Sequence, residues 1–395
     1  MPRAQSQSRL GSYVTSSVAG ETVRAFIPPP LPPLPAVELS GLHQQLDRAN
    51  QGLGRLNGMT KLLPDVRFLL YLYVRKEALV SSQIEGTQSS FTDLLLFENE
   101  AAPRVPIEDV EEVSNYVAAM QHGLRRLRGG FPFSLRLIRE IHAILLRGGR
   151  GANRTPGEFR RTQNWIGGSR PGSASFVPPP PERLMECLDG FERFLHNDDE
   201  RHRLPILVEA GLVHVQFESI HPFLDGNGRV GRLLITLLLC SKGALTEPLL
   251  YASLYLKTNR SRYYALLQRV RTDGAWEDWL AFFLDGVAAA AQEAADTAER
   301  TLRLFSNDRQ KIQGLGRAAA SALRVQELMQ RNPFVRIRTA AKALKLTIPT
   351  VTSALNHLLR LGIVNEISGK RRDRLFAYSR YINMVSEGTK PLATP

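Results

Sequence analysis

The chain has 395 residues, 43% hydrophobic and 23% charged, with a formal net charge of +13 at pH 7. That balance belongs to a soluble globular protein with room for two or three domains, and its longest apolar-rich run, "LLITLLLC" (233–240), is too short to cross a bilayer. Cys187 and Cys240 set out neither a metal spacing nor a disulfide framework, and no secretory h-region opens the chain, so a cytoplasmic protein is expected.

Residues 1–35 read as a flexible tail closing in the polyproline II connector "PPPLPPLP" (28–35). Arg3 and Arg9 among serines loosely resemble a transit peptide, and a disordered N-terminus fits the same composition. Residues 36–104 have a helical pattern, clearest in "FLLYLYVRKEALVSSQIEG". Two more helices are predicted over 105–148, separated by "RGGFPFS", with Ser134 as N-cap of the second. In 157–182, "TQNWI" and "ASFV" flank the turn-rich "GGSRPGS" and predict a β-hairpin. Helices follow at 182–196, 205–220, 229–241, 259–271 and 275–305, so the body is nearly all α with a single hairpin.

Between two of these helices lies "HPFLDGNGRVGR", His221 to Arg232, which contains Gly226-x-Gly228-x-x-Gly231. A dinucleotide fold needs a strand running into Gly226. Ile206, Ala210, Val213, Phe217 and Ile220 instead mark one face of a helix, and Pro222 and Asp225 intervene. No Lys-Ser/Thr follows the glycines, which excludes a P-loop. A helix–loop–helix remains, and it still makes a phosphate site. Gly226 and Gly228 let backbone N–H groups converge, and the following helix directs its positive end at the same place. Arg229 and Arg232 share a face and can clamp phosphates. Asp225 offers a hard oxygen to Mg²⁺, and His221 suits a general base. Phosphoryl or nucleotidyl transfer is the chemistry these residues describe. Phe223 is expected to anchor the core, and Gly231 to serve helix packing.

The stretch resembles the Fic-domain motif H-P-F-x-D-G-N-G-R-x-x-R at every defining position, and the resemblance runs over roughly 40–300, through "GEFRRTQNWIGG" and "YLKTNRSRYYALLQRVR". It implies a mainly α Fic helical bundle (105–308) with a β-hairpin flap, and a protein adenylyltransferase that moves AMP from ATP to a target Ser, Thr or Tyr. It assigns His221 as base, Asp225 to Mg²⁺, Gly226, Asn227, Gly228 and Arg229 to the phosphates, and Arg232 to the γ-phosphate. Tyr264, rather than Tyr263, is implied at the adenosine, and the flap (157–178) at the target segment. "SSQIEG" also fits the family's inhibitory pattern, with Ser81, Glu85 and Gly86, in which the glutamate pairs with the second arginine, here Arg232. The resemblance leaves room for AMP removal using Glu85, and for another nucleotide donor.

Residues 315–383 follow a winged-helix pattern and are basic, with 13 Lys+Arg against 3 Asp+Glu over 315–382. Thr347 and Pro349 open the expected recognition helix, Val351, Leu355, Leu358 and Leu359 form its apolar stripe, and Thr350, Ser353 and His357 lie on another face. Lys370, Arg371, Arg372 and Arg374 mark the wing tip. Contact with DNA through 347–374 fits these charges, as in a transcriptional regulator whose Fic domain senses nucleotide. Protein contact, such as a homodimer, fits as well. Residues 384–395 are expected to be a flexible tail.

Overall fold

The computed structural model describes residues 9–18, 20–62, 67–98, 105–148, 151–196, 204–369 and 374–391. Arg3, the wing residues Lys370, Arg371 and Arg372, and the last four residues lie outside them.

The N-terminal region departs from the expected tail. Ser12–Val18 (β1) and Glu21–Ile27 (β2) pair antiparallel, from Ser12 opposite Ile27 to Val18 opposite Glu21. β-Branched and aromatic residues favour the strands, and Gly20 turns between them at φ +82°. Val18, Val23 and Ala25 cluster with Val177, and the Phe26 N–H donates to the Val177 carbonyl at 2.8 Å. The connector packs too, since Leu31 is buried and the Pro29 carbonyl accepts from Gln216 at 2.8 Å. Burial against the body corrects the flexible reading for residues 9–35.

Helical periodicity held over the next regions, as His43–Leu62 (α1), Arg67–Ile84 (α2), Phe91–Glu98 (α3), Ile107–Arg128 (α4) and Leu135–Leu145 (α5). Ser134 caps α5, its hydroxyl accepting from the Leu137 N–H at 3.4 Å. The predicted hairpin at 157–182 shrinks to one antiparallel bridge, Ile166 with Phe176. Gly167 and Gly168, at φ +71° and +73°, and a 3₁₀ turn at Pro171–Ser173 take up the residues that would have lengthened its strands.

Next come Pro181–His196 (α6), Ile206–Ile220 (α7), Asn227–Ser241 (α8), Ser253–Thr258 (α9), Arg260–Asp273 (α10) and Trp276–Gln313 (α11). Nearly every residue of α7 is buried, which its all-round apolar surface requires. It packs on α8, and α8 packs on α4 and α5. Alongside α1 runs α11, which passes the expected end at 305 because Phe305, Asp308 and Ile312 are buried. The expected domain limit at 308 therefore falls inside a helix.

The C-terminal module orders Ala319–Arg331 (α12), Phe334–Arg336 (β3), Ile337–Leu344 (α13), Ile348–Arg360 (α14), Asn365–Glu366 (β4), Leu375–Ala377 (β5) and Ser379–Val385 (α15). Its strands form an antiparallel sheet in the order β3-β5-β4. Thr347 caps α14 as expected, at 3.3 Å from the Thr350 N–H. Leu359 is exposed, one position past the buried Val351, Ala354, Leu355 and Leu358 stripe, which corrects its placement. Residues 384–391 are no loose tail, for Val385 and Thr389 are buried and Gly388 packs on Leu254. Among the described residues, no helix is long and apolar enough to cross a membrane.

Candidate active site

The loop between α7 and α8 is shaped by its own residues. His221 ends α7 in the left-handed region (φ 49°, ψ 61°), its N–H bonded to the Phe217 carbonyl at 2.9 Å. Phe223 is fully buried, as expected for an anchor. The Asn227 side chain closes the loop from within. Its Oδ1 accepts from the Phe223 N–H and its Nδ2 donates to the Phe223 carbonyl, both at 2.8 Å. Asn227 thus offers a ligand only its backbone. Gly226 then opens α8 at φ +78°. The first helical bond runs from the Val230 N–H to Gly226 at 3.0 Å, so the N–H groups of Asn227, Gly228 and Arg229 lie at the open helix end.

Two buried arginines flank this end. The Arg232 Nε–H donates to Ser81 Oγ at 2.9 Å, and its Nη2 to the Ser81 carbonyl at 2.9 Å and to Glu85 Oε1 at 2.7 Å. Glu85 follows the last turn of α2, and Gly86 turns the chain away at φ +101°. A Cβ on Gly228 would stand 2.3 Å from a Glu85 carboxylate oxygen, so the carboxylate lies directly over the helix end. Burial raises the Glu85 pKa, but Arg232 outweighs it and holds the carboxyl below its ordinary range. Arg229 meets Glu112 at 2.7 Å, both nearly inaccessible, and lies 3.5 Å from Asp225. Asp225 is 39% exposed at the loop mouth, with one oxygen held by the Gly226 N–H at 2.6 Å.

His221 is half-buried beside these groups. Burial, then the charges of Arg271 and Arg160, bring its pKa down to about 3, so the imidazole is neutral at ordinary pH. Beneath Gly231, where a Cβ would stand 2.4 Å from its carboxylate, Glu218 is pushed up to about 7 by burial against the pull of Arg232. Tyr264 is 39% exposed, whereas Tyr263 is buried with its hydroxyl 2.9 Å from His214 Nε2.

Sequence reasoning missed several partners that the fold brings in from a distance. Arg160, in the flap base, donates from Nε to the His221 carbonyl at 3.0 Å and from Nη2 to the Pro179 carbonyl at 2.5 Å. His142, on α5, lies under the loop with Nε2 3.0 Å from the Asp225 carbonyl. Glu112, on α4, neutralises Arg229. Nothing local in the sequence singles these residues out.

A buried helix end, two guanidiniums, a neutral histidine and an exposed carboxylate thus meet on a helical scaffold. Residues 43–125 match the Fic/DOC family N-terminal description and residues 132–239 the Fic/DOC family. Residues 43–239 thus carry a Fic/DOC domain pair. Protein adenylyltransferase Fic of Drosophila grimshawi is 31% identical over 199 residues, 50% of this chain and 35% of that protein. The protein of the same name from Drosophila melanogaster is 30% identical, with the same coverage of 50% and 35%. The chain thus spans about a third of the length of these curated relatives. A Fic family protein from Desulfovibrio desulfuricans G20 shares the fold, with a TM-score of 0.57 at 18% identity over 87% of this chain and 97% of that one.

Asn227→Ala strands two buried backbone groups of Phe223 and is expected to lower unfolding free energy by about 1–3 kcal/mol. Urea denaturation followed by circular dichroism checks this.

Proposed function

We propose that the chain is a protein adenylyltransferase restrained by its own Glu85. It moves AMP from ATP to a Ser, Thr or Tyr hydroxyl of a target protein and releases pyrophosphate. The observation that carries this reading is the Arg232–Glu85 pair lying across Gly228 at the open end of α8. Helix N–H groups and a buried guanidinium suit a phosphate, and a carboxylate of the same chain stands in that place. The name of the Drosophila relatives agrees with it.

With Glu85 turned aside, Arg232 takes the γ-phosphate, and Arg229, pre-positioned by Glu112, grips a neighbouring one. Gly226, Asn227 and Gly228 contribute backbone N–H groups, and the exposed Tyr264 ring serves the adenosine. His221, already neutral, accepts the proton of the target hydroxyl as that oxygen bonds to the α-phosphorus. The bond from this phosphorus to the bridging oxygen breaks, and pyrophosphate leaves with its electron pair. Asp225 fits Mg²⁺, because a single accessible carboxylate is the donor set of an ion that keeps most of its waters. Bound there, the ion would neutralise charge on the α- and β-phosphates.

The flap offers one edge to a target. Phe26 occupies the side of Val177, while the backbone groups of Trp165 and Gly167 make no hydrogen bond among the described residues. An extended target segment pairs along that edge. Glu85→Gly is expected to raise incorporation of α-³²P label from ATP about 100-fold by restoring phosphate geometry. In that background His221→Ala should cut it by about 10²–10⁴-fold. Unchanged labelling after His221→Ala would sink the catalytic assignment.

The C-terminal module supports a second, separate reading as a DNA contact, because Arg338, Lys342, Lys345 and Arg360 are all exposed on it. Retention on duplex DNA is then expected to fall steeply with salt and to vanish when Arg371, Arg372 and Arg374 become alanine. Salt-insensitive behaviour would assign the module to protein contact.

A further inference from the structure

We infer that His142 is a positioning residue that sets the phosphate-binding loop and the flap in register with each other, an inference resting on the adenylyltransferase reading. His142 is fully buried on α5, and its ring stacks on Phe223 with centroids 3.6 Å apart and planes 7° from parallel. Each ring nitrogen has a partner that allows only one role. The Asp225 carbonyl, 3.0 Å from Nε2, can only accept, so Nε2 carries the hydrogen. The Gly157 N–H, 2.8 Å from Nδ1, can only donate, so Nδ1 is the acceptor. One neutral imidazole therefore bridges the residue placed at the metal and the first residue of the flap. The Gly157 carbonyl is held in turn by Arg139 Nε at 2.7 Å. A Cβ on Gly226 would stand 3.6 Å from the His142 ring, so the ring also forms the floor beneath the helix end.

Two substitutions separate the two bonds, because asparagine reaches the place of Nδ1 and glutamine that of Nε2. In a Glu85→Gly background, His142→Asn keeps the acceptor for Gly157 and loses the donor to Asp225. The Mg²⁺ concentration for half-maximal binding of a fluorescent ATP analogue is expected to rise about tenfold, with exchange of the Gly157 amide unchanged. His142→Gln should do the opposite, leaving the Mg²⁺ dependence near that of the parent and speeding Gly157 exchange. Asp225→Ala gives the reference for losing the metal residue itself, and thermal unfolding verifies that each variant folds. Should Asp225→Ala leave the Mg²⁺ dependence intact, the metal reading fails and takes the loop half of the inference with it. If Asp225→Ala abolishes it and both His142 variants match the parent in binding and exchange, the positioning role is overturned.

A second buried network carries an independent inference: we propose that segment 386–391 straps the turn bearing Glu85 in its blocking position. Gln83, at the end of α2, donates from Nε2 to the Ser89 and Thr389 carbonyls, both at 2.9 Å. Its Oε1 accepts from Lys257 Nζ at 2.6 Å, and the same ammonium donates to the Lys390 carbonyl. Gln83, Lys257 and Thr389 are all buried, and Glu387 forms a 2.7 Å ion pair with Arg300. The carbonyls of Ser82 and Gln83 accept from the Glu85 and Gly86 N–H groups at 3.0 and 3.1 Å, so the strapped side chain belongs to the turn that presents Glu85. Gln83→Leu and Lys257→Met are expected to speed amide exchange at 85–87. Where Glu85→Gly activates, they should raise labelling part of the way, with no further gain in the double variant Gln83→Leu/Glu85→Gly. Exchange at 85–87 that stays at the wild-type rate in both variants overturns the strap, whatever the activity of Glu85→Gly.

Discussion

A guanidinium only 1% exposed cannot stand without a counter-charge. Arg232 is that group, and the site is organised around it. Ser81 takes up one flank of its donors through a hydroxyl and a carbonyl. The remaining direction meets Glu85, which is 35% exposed and so faces the open side of the site. Gly228 must lack a side chain for the carboxylate to reach this position. Whatever occupies that side has to be an anion, and the end of α8 adds its N–H groups to the same demand. Burial of one cation thus determines the chemistry admitted above it.

The loop beneath is rigid because its shape is over-determined. His221 sits in a backbone region that costs a non-glycine residue about 1–3 kcal/mol. That cost is offset by bonds from outside the loop and within it. Arg160 meets the backbone carbonyls of His221 and Pro179 rather than a carboxylate, and the Asn227 side chain mimics backbone pairing with Phe223. Supporting side chains of this kind hold a site more closely than the loop could hold itself.

Much of the site was readable because its chemistry is local. Helix start, two glycines, histidine and two arginines fall within twelve residues of one sequence, and the periodicity of α7 ruled out the nucleotide-fold alternative. Glu85 was legible only through a family resemblance, since nothing in "SSQIEG" states which arginine it faces. Glu112, His142 and Arg160 carry no such pattern, and their roles arise from packing between α4, α5, the flap and α8. The N-terminal hairpin was missed because its alternation is blurred by serines at 16 and 17, and its stability comes from Val177, far along the chain. The reach of α11 was underestimated for a related reason. Its last turns are helical because Asp308 accepts from the buried Tyr378 hydroxyl at 2.8 Å and Phe305 packs on Tyr381, contacts that only the assembled C-terminal module supplies.

Those distant contacts bear on how, in the proposed reading, Glu85 would leave Arg232. Moving the Glu85 turn breaks its own bonds, including those of Gln83, and also uncovers the Arg232 charge. Weakening the first group lowers only part of the cost. The second part persists until another anion arrives, because two nearby carboxyls, Glu77 and Glu218, are themselves driven toward their neutral forms by burial. Departure of Glu85 and arrival of a phosphate are therefore linked through one guanidinium, each favouring the other by the same free energy. A loosened turn without nucleotide would still return to Arg232. In the proposed reading the restraint is a competition for a single buried charge, whose balance point the C-terminal segment would set without touching the ligand.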